Sequence, residues 1–196
     1  MIKLAVTGGI ACGKSTVGHF LKNDHTWPVL DTDNVAHEVL LRPDIKADIR
    51  DRFGAEVVNE GRIDRSVLGQ YVFSDTGARE WLNSLMHPEI RKACASWVET
   101  QGSDGHVGCA VLIPLLFETG QESIWDQICC VGASRSVQVE RLRNRGLTDR
   151  ECEQRLSAQM SVEEKMNLAD FGIMNDMSRE VLQEQLRRVV LSIGGK

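Results

Sequence analysis

The sequence predicts an α/β fold in which a parallel β-sheet is flanked by helices, and three observations predict it. Short apolar runs alternate along the chain with longer stretches of helical periodicity, the order that builds parallel strands joined by helical crossovers. The first apolar run passes through a glycine-rich turn directly into a helical face, "MIKLAVTGGIACGKSTV". The chain has 196 residues, 42% of them hydrophobic, which is enough to bury one substantial core without disulfides.

Each element follows from local signals. Ile2 to Thr7 reads as a buried strand, and Thr16 to Leu21 begins the apolar face of the helix after it. "PVLD", Pro28 to Asp31, is a second short strand. Residues 32 to 53, 65 to 72 and 76 to 101 carry predominantly helical signals. The pairs Arg42-Pro43 and His87-Pro88 are expected to break them, because the residue before proline avoids helical angles. A polar loop, "GSDGHVG" (102 to 108), leads to an apolar strand at Cys109 to Ile113, and Gln127 to Gly132 is a further strand. Ser134 to Arg145 is helical. Thr148-Asp-Arg-Glu151 and Ser161-Val-Glu-Glu164 each fit a capping box, so two more helices begin there. "DFGIMN" (170 to 175) supplies the last strand, and Ser178 to Ile193 repeats apolar residues at helical spacing.

Composition excludes several function classes. The longest apolar run, Val107 to Phe117, is interrupted by Pro114 and is too short to span a bilayer, and the N-terminal run is broken by Gly8 and Gly9. A cytoplasmic protein without a membrane partner is expected. Six cysteines without a C-x-x-C pair point to free thiols and no zinc site, and the adjacent Cys129 and Cys130 point to opposite faces of a strand. A net charge of -5, with four tryptophans, one tyrosine and five phenylalanines, disfavours a nucleic-acid partner. An anionic ligand has to be met by local positive charge.

Gly8-x-x-x-x-Gly13-Lys14-Ser15 supplies that charge, as a P-loop in its required context between a strand and a helix. Glycines let backbone N–H groups curl around phosphate oxygens, and the helix N-terminus adds positive potential. Lys14 brings a mobile cation, and the Ser15 hydroxyl is a ligand for Mg²⁺. The fold is therefore read as a P-loop nucleoside triphosphate hydrolase-like core, with Gly9, Ala11, Cys12, Gly13, Lys14, Ser15 and Thr16 as the ATP-binding set. Cys12 has two readings: a small side chain tolerated beside a useful N–H, or a redox-sensitive thiol whose pKa the helix N-terminus lowers. On the second reading, mild alkylation inactivates and ATP protects.

P-loops serve switches, motors and small-molecule kinases. A guanine-reading N-K-x-D is absent, and Asp51-Arg-Phe-Gly54 follows the charged "KADIR", so it reads as a helix end. "VLDTD" puts Asp31 and Asp33 at the carboxyl end of the second strand, where a parallel sheet sets them beside the P-loop. A carboxylate there can accept the proton of an attacking hydroxyl, the task of a kinase and not of a switch. Asp33 has capping of the next helix as its alternative role, and Asp31 that of holding a Mg²⁺-bound water. "RLRNRG" places Arg141 and Arg145 at i and i+4, with Arg150 and Arg155 beyond. These arginines either clamp transferring phosphate charge under a closing lid or form a solvated face paired with Glu140, Glu151 and Glu153.

With these residues in place, the chain resembles the dephospho-CoA kinase family over nearly its whole length. The resemblance runs in order through "TGGIACGKSTV", "VLDTDNVAHEVL", "FGAEVVNEGRIDRSVLGQYVF", "LNSLMHPEIR", "PLLFE", "RLRNRG" and "QRLSAQMSVEEKMNLADFGIMN". It implies an ATP- and Mg²⁺-dependent kinase that phosphorylates the ribose 3′-hydroxyl of dephospho-CoA. It implies a core of about 1–31, 109–135 and 170–196, a helical acceptor-binding region of about 32–108, and a lid of about 136–169. By position, Asp33 is similar to the family's proposed base, Lys14 to its phosphate-binding lysine and Arg141 to its lid arginine. His87 and Glu118 fall on family motifs as substrate-binding candidates, although His87 before Pro88 also suits a helix junction and Glu118 ends an apolar strand. Asn175 resembles a residue near the adenine side. Ser15 and Asp31 are the metal candidates, and a monomer or weak homo-oligomer is expected. Two departures stand out: Ala11-Cys12 replaces a smaller pair, and Asp176 follows Asn175 where a glycine is usual nearby. The alternatives from the residues alone are a nucleoside monophosphate kinase and a nucleotide-sensing switch.

Overall fold

Strand β1, Ile2–Gly8, has neighbours on both sides and buries Leu4, Ala5, Val6 and Thr7 completely, which is why its sequence is a continuous apolar run rather than an alternating one. In the computed structural model, which describes residues 1–194, β1 pairs in parallel with β5 (Gly108–Leu112) and with β6 (Gln127–Gly132). Strand β2 (Val29–Asp31) adds to the outer edge of β5, and β7 (Phe171–Met174) to that of β6, giving the all-parallel order β2-β5-β1-β6-β7.

This sheet belongs to a unit made of residues 1–31 and the chain from Val98 onward. Its helices are α1 (Lys14–Asp24), α6 (Arg135–Arg143), α7 (Asp149–Ser157), α8 (Val162–Leu168) and α9 (Arg179–Ser192). Val17, Phe20 and Leu21 of α1 and Leu182, Leu186 and Val190 of α9 pack with Leu4, Val6, Leu112, Val131 and Ile173 of the strands in one core. Both expected capping boxes form: Thr148 and Glu151 cap α7, and Ser161 and Glu164 cap α8. All six cysteines are free and buried, and burial pushes the Cys129 and Cys130 thiols up to about 12.

The second unit is Thr32–Trp97. It comprises α2 (Thr32–Leu41), α3 (Pro43–Phe53), the hairpin β3 (Val58–Asn59) and β4 (Arg62–Ile63), α4 (Arg65–Ser74), and the first part of α5 (Thr76–Ser103). Its core gathers Val35, Val39, Ile45, Ile49, Val57, Ile63 and Leu68. Phe53 sits with its ring centroid 5.4 Å from those of both Tyr71 and Trp81. Arg42 joins α3 to α5 through ion pairs with Asp44 and Glu89. Gly54, at φ 94, ends α3 as the Asp51–Gly54 reading expects.

Most element boundaries match the sequence reading to within a residue or two, and three features differ. The hairpin at 58–63 carries too few residues for a period to emerge, and sequence reading passed over it. Strand β5 lies between β1 and β2, so Asp31 stands one strand removed from the strand that feeds the P-loop. The break expected at His87-Pro88 is absent: α5 runs unbroken with Pro88 inside it. Packing on either side holds the helix, with Ala78 and Met86 buried before the proline and Cys94 after it. The expected core stretch ending at 196 includes residues 195 and 196, which lie outside the described residues.

Pro88 has no N–H to offer the Ser84 carbonyl, so Pro88→Ala restores one helical hydrogen bond at the cost of a looser unfolded chain. The expected net gain is about 1–2 kcal/mol. Urea denaturation followed by circular dichroism measures it, and an unchanged or lowered midpoint contradicts this account of α5.

Candidate functional site

The loop between β1 and α1 is shaped by what holds its carbonyl oxygens. Lys14 Nζ donates to Gly8 O at 2.8 Å and Gly9 O at 3.0 Å. Gln138 Nε2 on α6 donates to Ile10 O at 2.8 Å, Arg141 Nη1 to Ala11 O at 3.0 Å, and Asn175 Nδ2, just beyond β7, to Cys12 O at 2.8 Å. Five consecutive carbonyls, residues 8 to 12, thus accept from side chains. The Ile10 and Cys12 N–H groups donate to Gln159 Oε1 and Gly9 O, and the loop's other N–H groups stand at the N-terminus of a helix whose dipole favours an anion there.

Backbone geometry enforces the same shape. Gly8 has φ 141, and a Cβ there would stand 2.0 Å from Val131 O of the neighbouring strand; at Gly13, φ 99, a Cβ would meet Asn175 Nδ2 at 2.2 Å. Ala11 also adopts a left-handed φ, 59°, a conformation that costs an alanine about 1 kcal/mol relative to glycine. This departure from the family pattern therefore carries strain without disturbing the carbonyl tethers. Of the two readings of Cys12, the structure favours the tolerated side chain. Its thiol is fully buried in the core, and burial pushes its pKa up even though Lys14 and Arg141 pull the other way, so it is not the reactive thiolate a redox sensor requires.

The tethers bring Gly9, Ala11, Cys12, Gly13, Lys14, Arg141 and Asn175 together. Ser15 and Thr16 occupy the first turn of α1, with Ser15 exposed. Asp31 ends β2, level with Leu112 at the carboxyl edge of the same sheet. Arg141 makes its second bond from Nη2 to Asn175 O at 2.8 Å, and the Asn175 N–H donates to Gly132 O at 2.8 Å. Asn175 is thus a junction of β7, α6 and the loop. Arg145, Arg150 and Arg155 are exposed. Of the carboxylates suggested as their partners, Glu151 takes part in the α7 cap and Glu153 pairs with Arg135.

Asp33 and His87 belong to the second unit. Asp33 is the second residue of α2, exposed in its first turn. His87 is half-buried on α5, and burial, followed by the nearby Arg91 charge, lowers its pKa and favours the neutral ring at pH 7.

Glu118 reveals a partner that sequence reading missed. Its Oε1 lies 2.8 Å from Nζ of Lys165, which is completely buried on α8 and also donates to Pro114 O at 2.7 Å; the same oxygen accepts from Met160 N–H at 3.1 Å. The ion pair fastens α8 to the segment after β5. Gln138 and Gln159, whose Oε1 accepts from Ile10 N–H at 3.1 Å, were missed as well. The available signal was a polar residue inside a buried helical stripe: Gln138 one turn before Leu142, and Lys165 three residues after Val162.

The sequence profile of a family described as dephospho-CoA kinase matches residues 2–180. A dephospho-CoA kinase of Anaeromyxobacter dehalogenans is 38% identical, covering 98% of this chain and 92% of its own. Among solved structures, TT1252 of Thermus thermophilus has 34% identity and a TM-score of 0.84, covering 99% of this chain and 98% of its own. A dephospho-CoA kinase from Campylobacter jejuni has 27% identity and a TM-score of 0.74, covering 97% and 96%.

Two expectations follow from this geometry. In the folded protein, iodoacetamide at pH 7.5 leaves Cys12 unlabelled and ATP turnover unchanged, and labelling appears only after denaturation; mass spectrometry reads the outcome, and rapid labelling of the native chain contradicts it. Glu118→Leu strands a fully buried ammonium, whereas Lys165→Met leaves a carboxylate whose side chain keeps 21% exposure. The first is therefore the costlier, about 3–5 kcal/mol, and the double variant recovers part of it. Equal costs in urea denaturation would show that the pair's burial is not what sets its energetics.

Proposed function

Because this chain belongs to the dephospho-CoA kinase family, whose reaction is the phosphorylation of dephospho-CoA in coenzyme A biosynthesis, we propose that it transfers the γ-phosphoryl group of ATP to the ribose 3′-hydroxyl. The observation that carries the residue assignments is the tethering of the carbonyls of residues 8 to 12, which leaves N–H groups and Lys14 to meet phosphate oxygens. Gly9, Ala11, Cys12, Gly13, Ser15 and Thr16 line the phosphates along the loop and the first turn of α1, and Lys14 meets phosphate oxygens from its place on the Gly8 and Gly9 carbonyls.

Asp33 orients the 3′-hydroxyl and takes its proton as the bond to phosphorus forms. Arg141 shields charge on the transferring group, and Asn175 holds Arg141 and the loop in register near the adenine side. His87 contributes a neutral imidazole to the acceptor region at 32–108. Glu118 acts through Lys165 to seat α8 in the lid, 136–169, whose closure excludes water that would otherwise be phosphorylated.

Ser15 and Asp31 fit a Mg²⁺ ion. A hydroxyl and a carboxylate are hard oxygen donors, and an ion that keeps waters and takes phosphate oxygens needs few ligands from the protein. When bound, the ion neutralises charge between the phosphates.

The test is ADP release with dephospho-CoA, AMP, CMP or no acceptor, with mass spectrometry locating the added phosphate. Dephospho-CoA alone should stimulate and yield the 3′-phosphorylated product; stimulation by a nucleoside monophosphate reassigns the acceptor, and stimulation by none favours a nucleotide switch. Lys14→Ala should lose on the order of 10²-fold or more in kcat. Near-normal turnover in Asp33→Asn would remove the proposed base.

A further inference from the structure

The second unit carries a pocket of about 160 Å³ lined by His37, Leu40 and Leu41 of α2, Arg62 and Ile63 of β4, and Arg65 at the start of α4. Its volume is well below the roughly 300–1,000 Å³ of a site that encloses a whole drug-sized ligand. It therefore suits one fragment of a longer molecule. Its lining combines apolar side chains, Leu41 being left 46% exposed, with two arginines and a histidine. Among the described residues neither Arg62 nor Arg65 has an ion-pair partner, in a chain of net charge -5. Asp64, which lies between them, is committed to the α4 cap, accepting from Ser66 N–H at 2.9 Å and Val67 N–H at 3.1 Å.

The backbone that carries these arginines is held in place. Glu60 and Gly61 form a two-residue hairpin turn with φ 48 and 74, the positive pair that matches strand twist. Lys46 Nζ donates to Gly61 O at 3.0 Å, and Asp64 N–H to Val57 O at 2.8 Å. Arg62 and Arg65 thus project from a braced hairpin and a capped helix.

The pocket also stands in register with Asp33. On α2, residues 33, 37, 40 and 41 fall within about 100° of arc, on the side away from the buried Val35 and Val39. His37 is one turn past Asp33, and Leu40 and Leu41 are two. In dephospho-CoA, C3′, C4′, C5′ and one ester oxygen separate the 3′-hydroxyl from the 5′-diphosphate, a span comparable to one helical turn of about 5.4 Å. Beyond the diphosphate comes the pantoyl group with its two methyls. Along α2 the order is Asp33, then His37, then Leu40 and Leu41, with Arg62 and Arg65 joining the same pocket from β4 and α4, so the acceptor's hydroxyl, diphosphate and apolar branch can be laid along it in turn.

We infer that this pocket is the subsite for the 5′-diphosphate and adjoining pantoyl end of the acceptor, with Arg62 and Arg65 on the phosphates and Leu40, Leu41 and Ile63 against the methyls. The inference rests on the dephospho-CoA reading and adds to it the residues that distinguish this acceptor from a nucleoside monophosphate. Guanidinium forks match phosphate oxygens bidentately, so each contributes to acceptor affinity without touching the reacting hydroxyl.

The experiment is calorimetric titration of dephospho-CoA into the wild type, Arg62→Gln, Arg65→Gln, Leu41→Ala and the control Arg79→Gln, an exposed arginine elsewhere on the unit, with steady-state kinetics alongside. Each pocket arginine variant is expected to raise Kd and the acceptor KM by about 10- to 100-fold, with the KM for ATP and the saturated kcat little changed. Leu41→Ala is expected to weaken dephospho-CoA while leaving AMP, which lacks the pantoyl arm, unaffected. Unchanged Kd in both arginine variants overturns the subsite, as does an equal loss in Arg79→Gln. Failure of the wild type to bind or turn over dephospho-CoA instead overturns the underlying reading, so the two failures are distinguishable.

Discussion

The molecule's chemistry depends on occupying five consecutive carbonyl oxygens of one short loop. A polypeptide loop presents donors and acceptors in equal number, and a polyphosphate is attracted by the first and repelled by the second. Lys14, Gln138, Arg141 and Asn175 resolve the conflict by occupying the acceptors of residues 8 to 12. Glycine at 13 lets Asn175 come close enough for its bond, and glycine at 8 leaves room for the Val131 carbonyl of the neighbouring strand. Electropositive character is therefore created locally, by orientation more than by net charge, which is how a chain of net charge -5 can present an anion site.

That arrangement has consequences for how the site is assembled. Three of the tethers join residues 128, 130 and 163 positions apart. None can form until α6 and the end of β7 have docked against the N-terminal strand, and β7 reaches β1 only through β6. The order β2-β5-β1-β6-β7 thus puts the first segment of the sequence at the centre of the sheet, while β7, which carries Asn175 at its end, is added from the far side of β6. Loop closure over such separations is slow relative to local helix formation, so the phosphate cradle is a product of the completed fold.

The same logic explains what was legible in the sequence. Strand β1, the P-loop and both capping boxes declare themselves through residues adjacent in sequence, because their physics is local: a glycine that needs positive φ, a hydroxyl that caps a helix three residues on. Arg141 and Asn175 emerged from spacing and resemblance, yet their bonds to the Ala11 and Cys12 carbonyls were invisible. Gln138 and Lys165 stayed hidden for a sharper reason: a polar residue inside a helical stripe was the only signal, and the period alone does not say whether that residue is buried. Pro88 misled in the opposite direction, since the local preference of its neighbour is outweighed by packing at Met86 and Cys94. Arg62 lies on a hairpin too short to betray itself by alternation.

Where buried polar groups fall is itself informative. Thr7, Gln138, Lys165 and Asn175 are the buried polar or charged residues among those described, and all belong to the sheet-bearing unit. Three of them donate to backbone carbonyls, at Ile10, Cys12 and Pro114. Burying an amide or ammonium is unfavourable unless it is well bonded, and apolar side chains of equal volume would stabilise the core at least as well. No apolar side chain, however, can donate to a carbonyl. Polar burial in this unit is therefore concentrated where backbone must be held in a conformation that packing alone does not select. The helical unit has no such loop to hold, and its described core is apolar. Its charged side chains, Asp33, Arg62 and Arg65 among them, lie on exposed faces.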